Sequence, residues 1–239
     1  MTKLNIVGAI VSNESKEVYK EFGLDSTSPK DILDKLPQNN EAIEVIINSP
    51  GGDVFAGFEI YTALKEYKGN ITVKIVGLAA SAASIIAMAG DKILISPVAQ
   101  IMIHNVSTLV TGNQHDLKQA AEQVEEISKG VCNAYVLRTG KSEEEIQQLM
   151  DEETYFSAKK AVRYGLSDEI MYTTAQANKE LLVASASTNG LLPQFVVDDY
   201  FSNKGQEKEK KPVRRDFLGL PVKQTQQKKN TRRTNWRWL

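Results

Sequence analysis

The fold is indicated by residues 71–95, which read ITVKIVGLAASAASIIAMAGDKILI. Ile71 to Val76 is rich in β-branched residues and predicts a strand. Ser81 to Ala89 is apolar, is closed by Gly90 and predicts a short helix, and Lys92 to Ile95 predicts a second strand. A strand, a helix and a strand joined by short connections are typical of a βαβ unit in a parallel sheet.

The same alternation extends to both sides of this unit. Upstream, strands are predicted over Leu4 to Val11 and Ala42 to Ile47, and a helix over Phe55 to Tyr67. Downstream, the apolar residues of Gln100 to His104 predict another strand. We therefore predict an α/β protein built from repeated strand–helix units around a parallel sheet.

A long helix is predicted over His115 to Arg138, with an apolar stripe on one face and charged side chains on the other. Ser142 begins an S-x-x-E sequence that favours the N-terminus of the next helix. One more short helix is predicted over Ser157 to Tyr164, ended by Gly165.

Composition is that of an ordinary globular chain, with 239 residues, 41% of them apolar. The single cysteine, Cys132, excludes an intramolecular disulfide and a cysteine-based zinc site, and it fits a reducing cytoplasm. The N-terminus has no apolar region typical of a secretory signal. The longest apolar stretch, Gly77 to Gly90, is shorter than the about 20 residues that span a bilayer, so we expect a cytoplasmic protein without a membrane segment.

Charge is distributed unevenly along the chain. Residues 203–239 contain 12 Lys and Arg against 3 Asp and Glu, a net charge of +9, which leaves 17 basic and 27 acidic residues and a net charge of −10 in 1–202. We expect a folded domain over 1–171, an extension of undetermined structure over 172–202, and a basic tail over 203–239. The tail is predicted to be disordered because it has too little apolar surface to offset the entropy of ordering.

Two residues have the chemistry of a nucleophile and its base. His104 ends an apolar strand, and histidine, with an unperturbed pKa of about 6.5, is the usual general base near neutral pH. Ser81 lies between a strand and a helix, where unpaired N–H groups and the helix dipole stabilise an oxyanion. Taken singly, a structural histidine and a helix-capping serine explain the same positions. His115, the other histidine, is expected to be solvated.

Asn48-Ser49-Pro50-Gly51-Gly52 follows the Ala42 to Ile47 strand and predicts a turn. Two glycines allow positive φ and let a ligand approach the backbone closely. The N–H of Gly52 is therefore a candidate oxyanion donor, although a plain turn also explains the sequence.

Four segments together resemble the ClpP peptidase family in order and spacing. They are Asn48-Ser49-Pro50-Gly51-Gly52, Gly77-Leu78-Ala79-Ala80-Ser81, Met102-Ile103-His104, and residues 157–168, SAKKAVRYGLSD. The resemblance covers about Leu4 to Met171. It implies the ClpP/crotonase-like fold, a ββα-superhelix of repeated strand–helix units, with the long helix as a protruding handle that mates two stacked homo-oligomeric rings.

The resemblance also implies a serine endopeptidase that works through an acyl-enzyme. Ser81 would be the nucleophile, His104 the base, and the N–H groups of Gly52 and Ala82 the oxyanion donors. The substrate would lie as an added strand along the segment just after the base. The substrate-binding residues implied there are Val106, Ser107 and Thr108, within a segment that runs to Val110. The chemistry requires no metal, nucleotide or other cofactor.

The third triad position departs from the family pattern. The family has Asp four residues before the Ser-Ala pair, and this chain has Glu153 there. A glutamate is one methylene longer and still orients a histidine in Ser-His-Glu sites. Asp151 and Glu152 are the alternatives.

Two features resemble the ClpP-like head-maturation proteases of tailed bacteriophages: a compressed segment before Asn48 and the long basic stretch from Tyr172 to Leu239. This interpretation makes a capsid or scaffold polypeptide the substrate and the host cytoplasm or precursor capsid the location. The basic tail would then dock on an acidic scaffold or contact nucleic acid. The alternative is a ClpP-like proteolytic subunit that relies on a separate ATP-driven unfoldase, since the chain has no phosphate-binding P-loop.

Two further classes stay open. The ClpP fold resembles that of the enoyl-CoA hydratase group, whose members usually employ carboxylates and lack a Ser-His pair at this spacing. A catalytically inactive ring or assembly subunit is the other, and the intact Ser81 and His104 argue against it.

Overall fold

The computed structural model describes residues 1–173, so the predicted basic tail and nearly all of the predicted extension lie outside the described residues. Its elements follow in chain order. They are β1 Thr2–Ile10, α1 Lys16–Glu21, β2 Ser26–Thr27, α2 Pro29–Leu33, β3 Ile43–Gly52, α3 Val54–Glu66, β4 Ile71–Ala80, α4 Ala82–Ala87, β5 Lys92–Ile95, β6 Gln100–Ile103, α5 Gln114–Thr139, α6 Glu143–Asp151, β7 Thr154–Ser157, α7 Ala158–Tyr164 and β8 Glu169–Ile170.

The strands form one eight-stranded sheet in the order β2-β1-β3-β4-β5-β8, and β6 joins it by pairing with the C-terminal end of β4. Every pairing is parallel except that of β6 with β7. The predicted α/β class with a parallel sheet and helices is confirmed. Because parallel strands run the same way, β4 and β6 bring the residues after their C-terminal ends to one edge.

The core lies between the sheet and α3, α4 and the second half of α5. Ile43, Val45 and Ile47 of β3 are fully buried and pair in register with the apolar residues of β4. Each isoleucine or valine buried in this way contributes about 1.5–3 kcal/mol. All six residues of α4 are buried, and all of them are apolar except Ser84.

The long helix α5 divides into two parts. Its first half is largely exposed, whereas Val131, Cys132 and Tyr135 in its second half are buried in the core. Its N-terminus is capped by Asn113, whose side chain accepts a hydrogen bond from the His115 N–H at 2.8 Å. The predicted handle helix is therefore anchored at one end only. Within residues 1–173, no helix combines the length and apolarity needed to cross a membrane.

The predicted turn over Asn48–Gly52 is wrong. Strand β3 continues through it, and Gly51 and Gly52 pair with Ala9 and Ile10 of β1. A Cβ atom on Gly52 would lie 2.1 Å from the Ile10 carbonyl oxygen, so only glycine fits this pairing. The glycines serve a close approach of two backbones rather than a reversal of the chain.

Four short elements, α1, β2, β7 and β8, were not predicted. Strand β7 is the most consequential, because its antiparallel pairing with β6 places Thr154 opposite Ile103, next to His104. Strand β8 is held by Asp168, which accepts a hydrogen bond from the Ile93 N–H at 2.6 Å and pairs with Arg138 at 2.5 Å. This buried contact fixes the C-terminal end of α5 to the sheet.

Candidate active site

Ser81 occupies the single-residue junction between β4 and α4. Its backbone is in an unusual conformation, with φ 53° and ψ −128°, which costs a non-glycine residue about 1–3 kcal/mol. The junction is held because the Ser81 N–H donates to the Met102 carbonyl at 3.0 Å, which ties it to β6. The hydroxyl makes no cap hydrogen bond, so the helix-capping explanation of Ser81 does not apply.

The Ser81 hydroxyl instead faces His104. The register of β4 with β6 pairs Ala80 with Met102, so the residues that follow emerge side by side. His104 Nε2 lies 2.8 Å from Ser81 Oγ, within hydrogen-bonding range. When Ser81 donates this bond, the imidazole proton is on Nδ1, and the pair is arranged as a nucleophile and its general base.

The three candidate acids lie at the end of α6 and just beyond it. Within residues 1–173, no carboxylate forms a hydrogen bond or ion pair with His104. Glu153 is exposed and has a φ of 46°, and the Glu152 carboxylate accepts a bond from Gln148 at 3.0 Å. The role of Glu153 as the third triad member stays a prediction.

Asp151 belongs to a small polar network beside the base. Its Oδ1 accepts hydrogen bonds from Asn105 Nδ2 at 2.7 Å and Gln147 Nε2 at 2.8 Å, and Gln147 Nε2 lies 3.0 Å from Asn105 Oδ1. The bonds from Asn105 and Gln147 hold the pKa of Asp151 below its usual value. Asp151 therefore contacts the residue after His104 rather than His104 itself.

The candidate oxyanion donors open into the same cavity as the nucleophile and base. Gly52, Ala82, Ser81 and His104 all line a cavity of about 250 Å³. Ala82 is the first residue of α4, where the backbone N–H has no partner within the helix. The arrangement suits stabilisation of a negative oxygen next to the Ser81 hydroxyl.

Gly51 is a site residue that sequence reasoning missed. Its φ is +93°, and a Cβ atom there would lie 2.6 Å from the Ala80 carbonyl oxygen and 2.7 Å from the Ser81 Cβ. The pair of glycines in the sequence was the available signal, but it did not indicate which of them contacts the nucleophile. Gly51 packs against the Ser81 junction, whereas Gly52 packs against β1.

Two side chains before the glycines fix this approach. The Ser49 hydroxyl donates to the Gly8 carbonyl at 2.6 Å and accepts from the Gly51 N–H at 3.1 Å. Asn48 Oδ1 accepts from the Leu78 N–H at 3.1 Å, where β4 departs from regular pairing with β3. These bonds connect the Gly51 segment to both neighbouring strands.

The predicted substrate-binding segment follows His104 and borders the site. The Val106 N–H donates to the buried Ser128 hydroxyl of α5 at 3.0 Å, which anchors the start of the segment. Val106 and Ser107 line the 250 Å³ cavity. The same two residues and Thr108 line an adjoining groove of about 770 Å³, bordered by α5 and by Val54 and Phe55. The groove and the cavity therefore share Val106 and Ser107, and Ser81 lines the cavity.

A second hydroxyl, that of Ser84, lies behind Ser81. Ser84 is fully buried, so its hydroxyl is not exposed to a substrate, and it contacts the buried Tyr135. His115 is exposed in the first turn of α5 and does not line the cavity. Among the described residues, no three His, Cys, Asp or Glu side chains are placed to hold a metal ion.

Comparison with known proteins adds a family relationship. A family model described as Clp protease matches residues 30–174, which include Ser81, His104 and Glu153. The chain is 30% identical over 167 residues to the ATP-dependent Clp protease proteolytic subunit 1 of Protochlamydia amoebophila, covering 66% of this chain and 81% of that protein. It is 33% identical over 147 residues to the ATP-dependent Clp protease proteolytic subunit of Deinococcus radiodurans, covering 61% and 72%.

Proposed function

The chain belongs to the Clp protease family, and from this we propose that it is a serine endopeptidase, the proteolytic subunit of a Clp-type protease. The observation that carries the proposal is the 2.8 Å contact between Ser81 Oγ and His104 Nε2 at the edge of a cavity. Among the described residues, no other Ser or Thr hydroxyl is hydrogen-bonded to a histidine.

In the proposed reaction, His104 Nε2 takes the proton of the Ser81 hydroxyl as Oγ attacks the carbonyl carbon of a peptide bond. The electron pair of the carbonyl moves to its oxygen, which the N–H groups of Gly52 and Ala82 stabilise; one such donor contributes about 2.7–4 kcal/mol. His104 then protonates the leaving amine. Water, deprotonated by the same imidazole, releases the acyl group and restores Ser81.

The proposed third member of the triad is Glu153, because it lies four residues before Ser157, the position that the family pattern assigns to the acid. A carboxylate at this position would accept a hydrogen bond from the Nδ1–H of His104 and stabilise the imidazolium that forms during attack. Contact requires the exposed side chain of Glu153, the residue just before β7, to turn toward His104. The polar network of Asp151 makes that residue the structural alternative.

The groove beside Val106 is the proposed substrate site. Its lining includes Phe55, Val124 and Ile127, which favours apolar side chains of an extended peptide. A peptide there would add a strand along the segment after His104, with its backbone hydrogen bonds giving affinity and the apolar lining giving preference.

We propose two biological roles for this activity and give the better supported one first. The relatives' names, ATP-dependent Clp protease proteolytic subunits, favour a homo-oligomeric ring that works with a separate ATP-driven partner. The second candidate is phage head maturation, for which the support is the compressed segment before Asn48 and the long basic stretch from Tyr172 to Leu239. Degradation of a folded protein only with a Clp ATPase and ATP would favour the first. Site-specific trimming of a co-expressed capsid or scaffold polypeptide without ATP, read by intact mass, would favour the second.

The direct test of the activity uses the full chain. Wild type should hydrolyse an unstructured peptide, whereas Ser81→Ala and His104→Ala should each lose nearly all of this activity while keeping the oligomeric state. Labelling of every assembled form with a fluorophosphonate distinguishes an active peptidase from an inactive subunit. The peptidase should be labelled, whereas the inactive subunit should not. Turnover of an acyl-CoA thioester by Ser81→Ala would indicate the hydratase-like class instead.

A further inference from the structure

Two buried hydroxyl groups form a hydrogen-bonded chain behind the nucleophile. Ser84 of α4 and Tyr135 of α5 are both fully buried, and their side-chain oxygens lie 2.7 Å apart. The Ser84 hydroxyl also donates to the Ser81 carbonyl at 2.6 Å. Because a serine hydroxyl has one proton, Tyr135 must be the donor to Ser84 Oγ. The chain therefore runs in one direction, from α5 to the backbone of Ser81.

This chain of hydrogen bonds ends at the carbonyl of Ser81, a residue with an unusual backbone conformation. The Ser81 carbonyl accepts two further bonds, from the Ser84 N–H at 2.9 Å and the Ile85 N–H at 3.3 Å. The carbonyl of Ser81 and the N–H of Ala82 belong to one planar peptide unit. Any group that fixes the direction of this carbonyl also fixes the direction of the Ala82 N–H, which points the opposite way.

We propose that Tyr135 and Ser84 are positioning residues that hold the Ser81–Ala82 peptide plane, and with it the Ala82 N–H that serves as an oxyanion donor. This inference rests on the proposed function of Ser81 and Ala82. It gives α5 a role in catalysis, because the Tyr135 hydroxyl on this helix would orient the Ala82 N–H at the start of α4. Burial raises the pKa of Tyr135, so the phenol keeps the proton that it donates.

The test compares Tyr135→Phe and Ser84→Ala, each of which removes one hydroxyl with little change in shape. We expect kcat for a fluorogenic peptide to fall about 3- to 10-fold in each variant, the effect of one neutral hydrogen bond. KM should stay within about twofold, because the oxyanion exists only in the transition state. The double variant should be no slower than the slower single variant, since both changes break the same chain.

Tyr67→Phe is the matched control. The Tyr67 hydroxyl donates to the Glu41 carbonyl at 2.6 Å, and Tyr67 does not line the cavity. This variant loses a tyrosine hydrogen bond of similar length at a partly buried position, so its melting temperature should fall with kcat unchanged. It separates an effect on the Ala82 N–H from a general loss of stability.

Several results would overturn the inference. These are a wild-type kcat in folded Tyr135→Phe, a kcat loss that only follows the folded fraction, or single effects that multiply in the double variant. If Tyr135→Phe does not fold, a wild-type kcat in folded Ser84→Ala would overturn the inference instead. A wild-type protein that does not react at Ser81 would instead remove the proposed function on which the inference rests.

Discussion

Replacing Gly51 by alanine tests how closely β3 supports the nucleophile. The added Cβ would lie 2.6 Å from the Ala80 carbonyl oxygen and 2.7 Å from the Ser81 Cβ. The first distance must open by roughly 0.8 Å or more to reach ordinary van der Waals contact. The Ser81 junction is the part that must move, because it is the surface that the new methyl group meets.

Two costs add in this variant. An alanine at a φ of +93° costs about 1–2 kcal/mol, and the forced contact costs about 1–3 kcal/mol more. For catalysis the displacement matters more, since moving reacting groups by about 1 Å reduces the rate on the order of 100-fold. We therefore predict a fall in kcat/KM of that size, well beyond the loss of stability.

Gly23→Ala is the matched control, because Gly23 has a φ of +66° and no atom within 4 Å of the added Cβ. It has only the backbone cost, so its melting temperature should fall by about 2–8 °C with kcat/KM unchanged. The assay is peptide hydrolysis with melting temperatures measured on the same samples. A folded Gly51→Ala that keeps wild-type kcat/KM, or a Gly23→Ala that loses as much activity, would refute this reasoning.

Three further predictions concern stability and the third acid. Asp168→Asn should lower the free energy of unfolding by about 3–5 kcal/mol in urea denaturation, because it removes the carboxylate charge of the largely buried Asp168–Arg138 pair. Hydrogen bonding to the Lys74 ammonium holds the pKa of Glu44 below its ordinary value of 4.5, so its contribution is present above that pH and is lost as pH falls through the lowered pKa. Glu44→Gln should therefore destabilise at pH 7 and flatten the loss of stability below about pH 5, measured by urea midpoints. Glu153→Gln should reduce kcat by about 10³- to 10⁴-fold if Glu153 orients His104.

Each of these predictions has a control and a contradicting result. Glu169→Gln breaks a half-exposed pair with Lys92 and should cost less than about 1 kcal/mol, so an equal cost at Asp168 would contradict the first. Parallel pH profiles for wild type and Glu44→Gln would contradict the second. For the third, a near-normal kcat in Glu153→Gln together with a large loss in Asp151→Asn would transfer the role to Asp151.

The alternation of strands and helices was predictable because the signal for each element lies within its own stretch of sequence. Strand β5 begins and ends at the residues that the sequence indicated, and α5 lies within one residue of its predicted ends. Both have a clear hydrophobic period or β-branched composition. The unpredicted strands β2 and β8 have only two residues each, too few for any periodicity to show.

The details of the site depended on pairings between distant residues. Pro-Gly-Gly indicates a turn locally, yet pairing with β1, about forty residues earlier, keeps Gly51 and Gly52 in a strand. The bond between Ser84 and Tyr135 joins residues 51 positions apart, and neither residue has a local signal for it. The direction of the Glu153 side chain depends on a left-handed backbone conformation at that residue, and a glutamate in the sequence does not predict this conformation. Ser81 and His104 were identified because four motifs agree in order and spacing.

The most direct test of the central claim is to map the site of covalent modification by a fluorophosphonate. Wild-type protein, digested and analysed by peptide mass spectrometry, should contain one phosphonylated residue, Ser81. His104→Ala should react far more slowly at the same serine, since the imidazole 2.8 Å away no longer takes its proton. An adduct on a different residue, or an equal rate of modification in His104→Ala, would contradict the assignment of this pair as nucleophile and base.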